Sequence, residues 1–297
     1  MTTLFDRDIQ LTVCQSPEQE LADFGQVSDN FLVNGVPNGG YLMAMMANAA
    51  LSHSERQAPV SMTANFLRRS VPGEMAFKHE LMNRSGQFDR LEIKALQKNK
   101  DGDEKEAIRA FVTLMDEFPG DGELRYERSE PEVLPRDECQ RMLPFPNYSI
   151  FRNVISLMEP SSFGWMKDEP SERSEHKGWI RLADERPWDA LSLILASDAF
   201  PPPVLASQGM VAWVPTIELS VQLRKIPTSR WLKCVFRSNY ITDGLVEEDG
   251  EIWDEEGHLV AISRQLAQFK RGHVSKTQKI SMRAASAVMA VDNWRRK

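Results

Sequence analysis

Three polar side chains in the second half of the chain fall where the local pattern predicts burial: Asp198, Thr216 and Gln265. A buried polar group costs free energy unless it has a partner or a task. Asp198 closes the segment 187–198, in which Trp188, Leu191, Leu195 and Asp198 follow a 3-4-3 spacing and share one face of a helix. The carboxylate continues an apolar stripe. Read as a strand, residues 258–269 put Leu259, Ala261, Ser263, Gln265, Ala267 and Phe269 on one small, mostly apolar face. Thr216 opens a strand within residues 214–221. An acid, a hydroxyl and an amide can together position a water molecule. Asp198 is the candidate general base, because burial and the carboxyl end of a helix both push a carboxylate pKa upward. Each residue also has a bland reading: a carboxylate bonded to the Pro201-Pro202-Pro203 turn, an ordinary β-branched strand residue, and an amide tying two strands together.

A second candidate feature is Gly39-Gly40-Tyr41, which opens an uncharged helix. Glycines let substrate approach the backbone, and free N–H groups at a helix start can polarise a carbonyl or bind phosphate. Arg68, Arg69 and Lys225 could meet phosphates, although strand charges more often solvate a surface. The five histidines (His53, His79, His176, His258 and His273) are isolated, with no Ser-Gly elbow or motif partner, which argues against a Ser/His/Asp hydrolase. A dehydratase that works through a histidine and an acid near its active helix is disfavoured too, because neither candidate helix carries a histidine. Met43, Met45 and Met46 suit an acyl tunnel and equally suit plain core packing.

The elements that must hold these residues repeat along the chain. The strand candidates at residues 61–72 and 216–227 both end in proline, and Pro227 minus Pro72 is an offset of 155. Applied downstream, this offset matches three further strand-and-turn segments in each half, joined as in antiparallel hairpins. A helix precedes the strands in both halves, at residues 40–51 and at about 187–199. The first has no charge and is expected to be buried on most sides; the second runs from Pro187 into the three prolines. The fold class is therefore α+β: a double hotdog, with two antiparallel sheets each wrapping a long central helix, fused in one chain. The boundaries are residues 1–118 for the N-terminal hotdog domain, 119–150 for a Pro/Gly-rich linker, 151–270 for the C-terminal hotdog domain, and 271–297 for a basic tail that packs as an amphipathic helix or frays. Residues 164–176 read as a loop.

Composition narrows the class. The 297 residues are 41% hydrophobic and 27% charged, and the formal net charge of −7 argues against nucleic acid as a partner. Cys14, Cys139 and Cys234 are scattered, with no CxxC or Cys/His cluster, so no disulfide framework or zinc site is expected. The first residues lack signal-peptide character, and no apolar run of ~18 residues occurs. The default location is cytoplasmic.

The residues just described resemble the acyl-CoA thioesterase family of TesB type, the double-hotdog thioesterases. The resemblance covers residues 24–270. It is carried by residues 35–42, 65–68 and 84–87 in the first half, and by residues 178–182, 196–202, 214–217, 231–232, 250–261 and 263–265 in the second. In that family an Asp, a Thr and a Gln hold the hydrolytic water, and the motifs fall on Asp198, Thr216 and Gln265. Gly39, Gly40 and Tyr41 are the implied substrate-binding residues, although family members often carry Gly-Gly-Gln there. The implied activity is hydrolysis of an acyl-CoA thioester. No metal or cofactor is implied, with coenzyme A entering as part of the substrate. The implied partner is that acyl-CoA; no nucleic acid and no membrane span are expected, and a homo-oligomer stays open. A non-catalytic acyl-thioester binding protein on the same fold is the alternative. The offset of 155 takes the three water-binding residues to Met43, Ser61 and Ala110, so one site per chain is expected.

Overall fold

The computed structural model describes residues 2–13, 22–118, 126, 128–209, 214–270, 280 and 283–289. In the first half these form α1 (Leu4–Asp8), β1 (Leu11–Thr12), β2 (Ala22–Val27), β3 (Leu32–Val33), β4 (Val36–Pro37), α2 (Gly39–Ser52), β5 (Ala58–Phe66), β6 (Gly73–Arg84), β7 (Asp89–Lys98) and β8 (Glu104–Met115). The second half adds β9 (Gln140–Arg141), α3 (Ile150–Asn153), β10 (Val154–Met158), a 3-10 helix (Pro160–Lys167), β11 (Ser174–Leu182), α4 (Ala190–Ala196) and α5 (Val204–Gln208). It ends with β12 (Thr216–Leu223), β13 (Leu232–Ser238), β14 (Ile241–Thr242), β15 (Leu245–Trp253) and β16 (Leu259–Gln268).

The strand order is β1-β2-β6-β7-β8-β5-β12-β16-β15-β13-β11-β10-β9, all antiparallel, with β14 pairing β15 off this path. Read outward from the β5–β12 seam, β8, β7, β6 and β2 in one half correspond to β16, β15, β13 and β11 in the other. The repeat expected from the sequence is therefore present, and the double hotdog with it. The two sheets do not stand apart, however. They join into one sheet of 14 described strands, because β5 and β12 pair directly, with Asn65 opposite Glu218 and Ser61 opposite Gln222. Each half covers the strand edge that the other would expose. At the seam the Thr63 and Ser220 hydroxyls lie 2.8 Å apart.

α2 is the expected buried helix. Gly40 through Ala47, Ala49 and Ala50 are all buried. Met43, Met45 and Met46 are fully enclosed, so they pack the core and do not line a tunnel. Each such side chain contributes on the order of 1.5–3 kcal/mol. α4 differs from expectation: it has 7 residues against the 14 of α2, so only one central helix is long. Its start is set by a capping box, in which Asp189 Oδ1 accepts from Ser192 N at 2.8 Å and Asp189 N donates to Ser192 Oγ at 2.9 Å. Pro187 and Trp188 therefore precede the helix. At the other end Ser197 Oγ donates to Leu193 O at 2.9 Å, and Asp198 N and Ala199 N donate to carbonyls three residues back. This tightened turn ends the helix before the prolines.

One hydrophobic core runs through both halves and takes in α2, α4 and the inner sheet faces. Part of the segment expected as linker belongs to the second unit: residues 140–141 form β9 on β10, and Met142 is fully buried. Residues 119–125 and 127 lie outside the described residues. Residues 164–167 end the 3-10 helix and residues 174–176 begin β11, so the expected loop is shorter than 164–176. In the tail, residues 283–289 are helical, with Met289 buried and Arg283 bonded to Asp168 at 2.7 Å. The rest of the tail, and Cys14, lie outside the described residues. Cys139 and Cys234 are buried free thiols. Among the described residues no helix is long and apolar enough to cross a membrane.

Candidate active site

Asp198 leaves α4 in that tightened turn, aimed at the amino end of α2, so it is not the next rung of a helical stripe. Its Oδ2 accepts from Asn38 Nδ2 at 2.8 Å and from Gly40 N at 3.0 Å, while Asn38 Nδ2 also reaches the Asp198 carbonyl at 2.7 Å. Asn38 is itself the N-cap of α2, with Oδ1 accepting from Tyr41 N at 2.9 Å. One amide side chain thus caps the first helix and grips the residue that ends the second. Burial raises the Asp198 carboxyl to about 6, against the opposing pull of the Gly40 and Gly39 N–H groups and the Asn38 amide. A carboxylate with that value is mostly ionised at neutral pH and still basic enough to accept a proton.

Thr216 reaches the same place through a strand irregularity. Leu219, Val221 and Leu223 are buried on one face of β12, and strict alternation would put Thr216 on the other. A bulge between Thr216 and Glu218 sets Thr216 opposite Ala267 while Glu218 sits opposite Leu266. The extra residue, Ile217, flips the face. Thr216 then shares the inner side of the sheet with Gln265, two residues from Ala267 on β16. Gln265 is 5% exposed and stands opposite Leu219 on one side and Glu248 on the other.

Asp198, Thr216 and Gln265 all open on one cavity of about 370 Å³. Gly39 also lines it, as do the aromatic side chains of Phe66, Phe145, Tyr148, Phe151 and Trp165. Arg68 and Arg69 lie on its wall and are exposed, whereas Lys225 is not part of it. No histidine is among the described residues that line it. His176 is fully enclosed nearby, with Nδ1 on the Pro201 carbonyl at 3.0 Å, and burial lowers its pKa to about 4.

Two expectations at the start of α2 are corrected. Tyr41 faces away from the cavity and does not contact it. Its ring stacks on Phe31, its hydroxyl donates to Asp8 O at 2.8 Å, and it accepts from Ser28 N at 3.1 Å. The Gly40 N–H is not free for substrate, because it bonds Asp198. Glycine is required there by close approach: a Cβ on Gly40 would lie 2.8 Å from Ile194 O and 3.0 Å from Leu195 O. At the points related to the candidate residues by the repeat, Met43 and Ala110 are fully buried core residues, so the described residues hold one such site.

Sequence reasoning missed two residues. Asn38 could have been found from its place before Gly-Gly and an uncharged helix, which is an N-cap signature. Glu248 lines the cavity too. Its neighbours Glu247 and Asp249 disguise it as part of a solvated acidic run, yet it shares a strand face with Val246, Gly250 and Ile252, which are all buried.

Comparison with known proteins bears on the family and the fold. Residues 28–115 match the family model of the acyl-CoA thioesterase N-terminal domain, and residues 127–269 match that of the acyl-CoA thioesterase C-terminal domain. An uncharacterized protein of Mycobacterium tuberculosis (strain ATCC 25618 / H37Rv) is 23% identical over 266 residues, 82% of this chain and 89% of that protein. Among solved structures, a candidate thioesterase II of Thermobifida fusca YX superposes with a TM-score of 0.79 at 25% identity, covering 91% of this chain and 98% of that one. A hot dog protein of unknown function from Alicyclobacillus acidocaldarius gives 0.78 at 21% identity over 92% and 100%. The acyl-CoA thioesterase II TesB2 of Mycobacterium marinum gives 0.66 at 17% identity over 90% and 98%.

Proposed function

The chain belongs to the acyl-CoA thioesterase family and is a thioester hydrolase, and from that premise we propose that it cleaves an acyl-CoA with a water held by Asp198, Thr216 and Gln265. The observation that carries this reading is the Asp198 carboxylate: it is braced by Asn38 and Gly40, raised to about 6, and opens on an apolar cavity shared with a hydroxyl and an amide. Asp198 takes a proton from the water as the oxygen attacks the thioester carbon. The Thr216 hydroxyl accepts the second O–H of that water, and Gln265 orients it or the carbonyl. The thiolate is a good leaving group, so no further activation of sulfur is needed. The test is release of free thiol from short, medium, long and aromatic acyl-CoAs. Release from at least one class is expected. No release from any, by folded protein, would sink the reading in favour of a non-catalytic acyl-thioester binder.

The acyl group is expected to be of modest size, since about 370 Å³ lies at the low end for small-molecule pockets. Aromatic lining supports an aromatic or medium-length chain. Gln265→Ala and Thr216→Val are expected to lower kcat by about 10-fold each, less than loss of the base, because they remove orientation and not proton transfer. A Gln265→Ala enzyme slower than Asp198→Asn would invert the assignment.

Arg68 and Arg69 are expected to meet the coenzyme A phosphates. Replacing both with alanine should raise KM for acyl-CoA about tenfold with kcat nearly unchanged, and less so at high salt. The same pair of changes should leave a thioester of N-acetylcysteamine, which has no phosphate, unaffected. Equal loss on both substrates would show that the arginines act on the fold and not on phosphate.

A further inference from the structure

The donors at the start of α2 are already committed. Gly40 N and the Asn38 amide bond Asp198, and Tyr41 N bonds Asn38. The base consumes the groups that would otherwise polarise a thioester carbonyl. The opposite wall of the cavity offers a different donor set. Glu248 on β15 and Gln265 on β16 are directly opposite in register, so their side chains leave the sheet on the same face. Both line the cavity with Asp198. Resting on the hydrolase reading above, we propose that Glu248 works as a neutral carboxylic acid, donating a hydrogen bond to the thioester carbonyl oxygen beside the amide of Gln265.

The surroundings of Glu248 favour the protonated form. It has no hydrogen-bond or ion-pair partner among the described residues. On its own strand, Glu247 accepts from Asn239 N and Tyr240 N, and Asp249 is held by Arg264. From the turn after α4 the Asp198 carboxylate shares its cavity and acts on its charge, and from β16 the uncharged Gln265 stands opposite. The cations of the cavity, Arg68 and Arg69, are exposed. Burial first, and then the negative charge of Asp198, push the Glu248 carboxyl well above its ordinary value. Two carboxylates in one apolar cavity cannot both ionise cheaply. Asp198 has backbone and amide donors and carries the charge; Glu248 has none and keeps the proton.

The step then balances. The water proton goes to Asp198 as its oxygen bonds to the carbonyl carbon, and the carbonyl π pair moves onto oxygen, where the Glu248 O–H receives it by hydrogen bonding. When the C=O re-forms, the C–S bond breaks, and the sulfur leaves with the electron pair and takes the proton from Asp198. Glu248 ends as it began.

The experiment compares wild type, Glu248→Gln and Glu248→Leu across pH. Removing a hydrogen-bond donor to a developing oxyanion typically costs about 10²–10³ in kcat, so that loss is expected for Glu248→Leu. Glu248→Gln keeps an N–H donor and should stay within about tenfold of wild type. In wild type, kcat/KM should fall at alkaline pH as Glu248 ionises; that limb should vanish in Glu248→Gln while the acid limb from Asp198 persists. Infrared difference spectra at the pH of full activity should show a protonated carboxyl band in wild type that is absent in Glu248→Gln. A fully active Glu248→Leu, a Glu248→Gln as slow as Glu248→Leu, an unchanged alkaline limb, or no protonated carboxyl band would each overturn the proposal. If Glu248→Leu does not fold, the alkaline limb and the band in Glu248→Gln decide. A wild type that releases no thiol overturns the hydrolase reading together with this one; an active wild type with an unaffected Glu248→Leu overturns this one alone.

Discussion

Asp198→Asn is expected to lower kcat by about 10²–10⁴ while KM for the acyl-CoA changes little. The asparagine keeps the size of the side chain and its acceptor oxygen for Asn38 and Gly40, and removes only basicity. In wild type, kcat/KM should fall as pH drops through about 6, where the buried carboxyl takes up its proton. The sign for stability follows from the same shift. The folded protein binds this proton more tightly than the unfolded chain, whose carboxyl keeps the ordinary value of 3.8. Stability from this group is therefore full below 3.8 and declines as pH rises toward about 6. Asp198→Asn removes that loss, so its melting temperature at pH 8 should match or exceed wild type. Stopped-assay kinetics and thermal melts check both halves of the statement. Full activity would exclude this carboxylate as the base, and an insoluble variant would assign it a structural role instead.

Gly40→Ala should damage both stability and rate. The added methyl would sit 2.8 Å from Ile194 O, 3.0 Å from Leu195 O and 3.0 Å from Asp198 Cβ. Two of those atoms are backbone and cannot swing aside. Overpacking of this kind costs about 1–3 kcal/mol. Relief requires α2 and the end of α4 to separate, which lengthens the Gly40 N to Asp198 Oδ2 bond now at 3.0 Å. A base displaced by ~1 Å can lose on the order of 10² in rate. Gly86→Ala is the control, because nothing lies within 4 Å of the methyl it would add. Denaturant midpoints and kcat for the pair measure the effect. Wild-type values in Gly40→Ala would mean that the two helices are not in the close contact described.

Much of this protein is legible from local pattern, because its architecture is a repeat of simple elements. A charge-free run after Asn-Gly-Gly can hardly be anything but a buried helix, and α2 is one. Alternation along residues 259–269 places Gln265 on the inner face, where it lies. The offset between two proline-terminated strands exposes the duplication, since both halves keep the same strand-turn spacing. The pairing of β5 with β12 was not legible, because an edge strand carries the same alternation whether or not a second sheet docks on it.

The site shows where local pattern stops. Periodicity says which face of an element a side chain leaves from, and not what stands opposite. Thr216 turns inward only because the chain inserts Ile217 against β16, and one extra residue reverses a period of two. Asp198 owes its proton affinity to burial and its direction to Asn38, which is 160 residues away in the chain. Gly40 and Tyr41 have the composition of a substrate-binding turn, yet the first amide is used by the base and the second side chain is drawn into the core by Asp8 and Ser28. Glu248 sits in an acidic run that reads as solvated, and it becomes a half-buried acid on the cavity wall only when β15 pairs with β16 across from Gln265. Local sequence is enough for most element types and for the chemical kinds of the three water-binding candidates, because each rests on residues within a few positions of one another, and the repeated spacing 155 residues apart exposes the duplication. Which donors meet which carboxylate, and which carboxylate keeps its proton, was decided by tertiary packing, because desolvation and hydrogen bonding depend on groups that only the folded chain brings together.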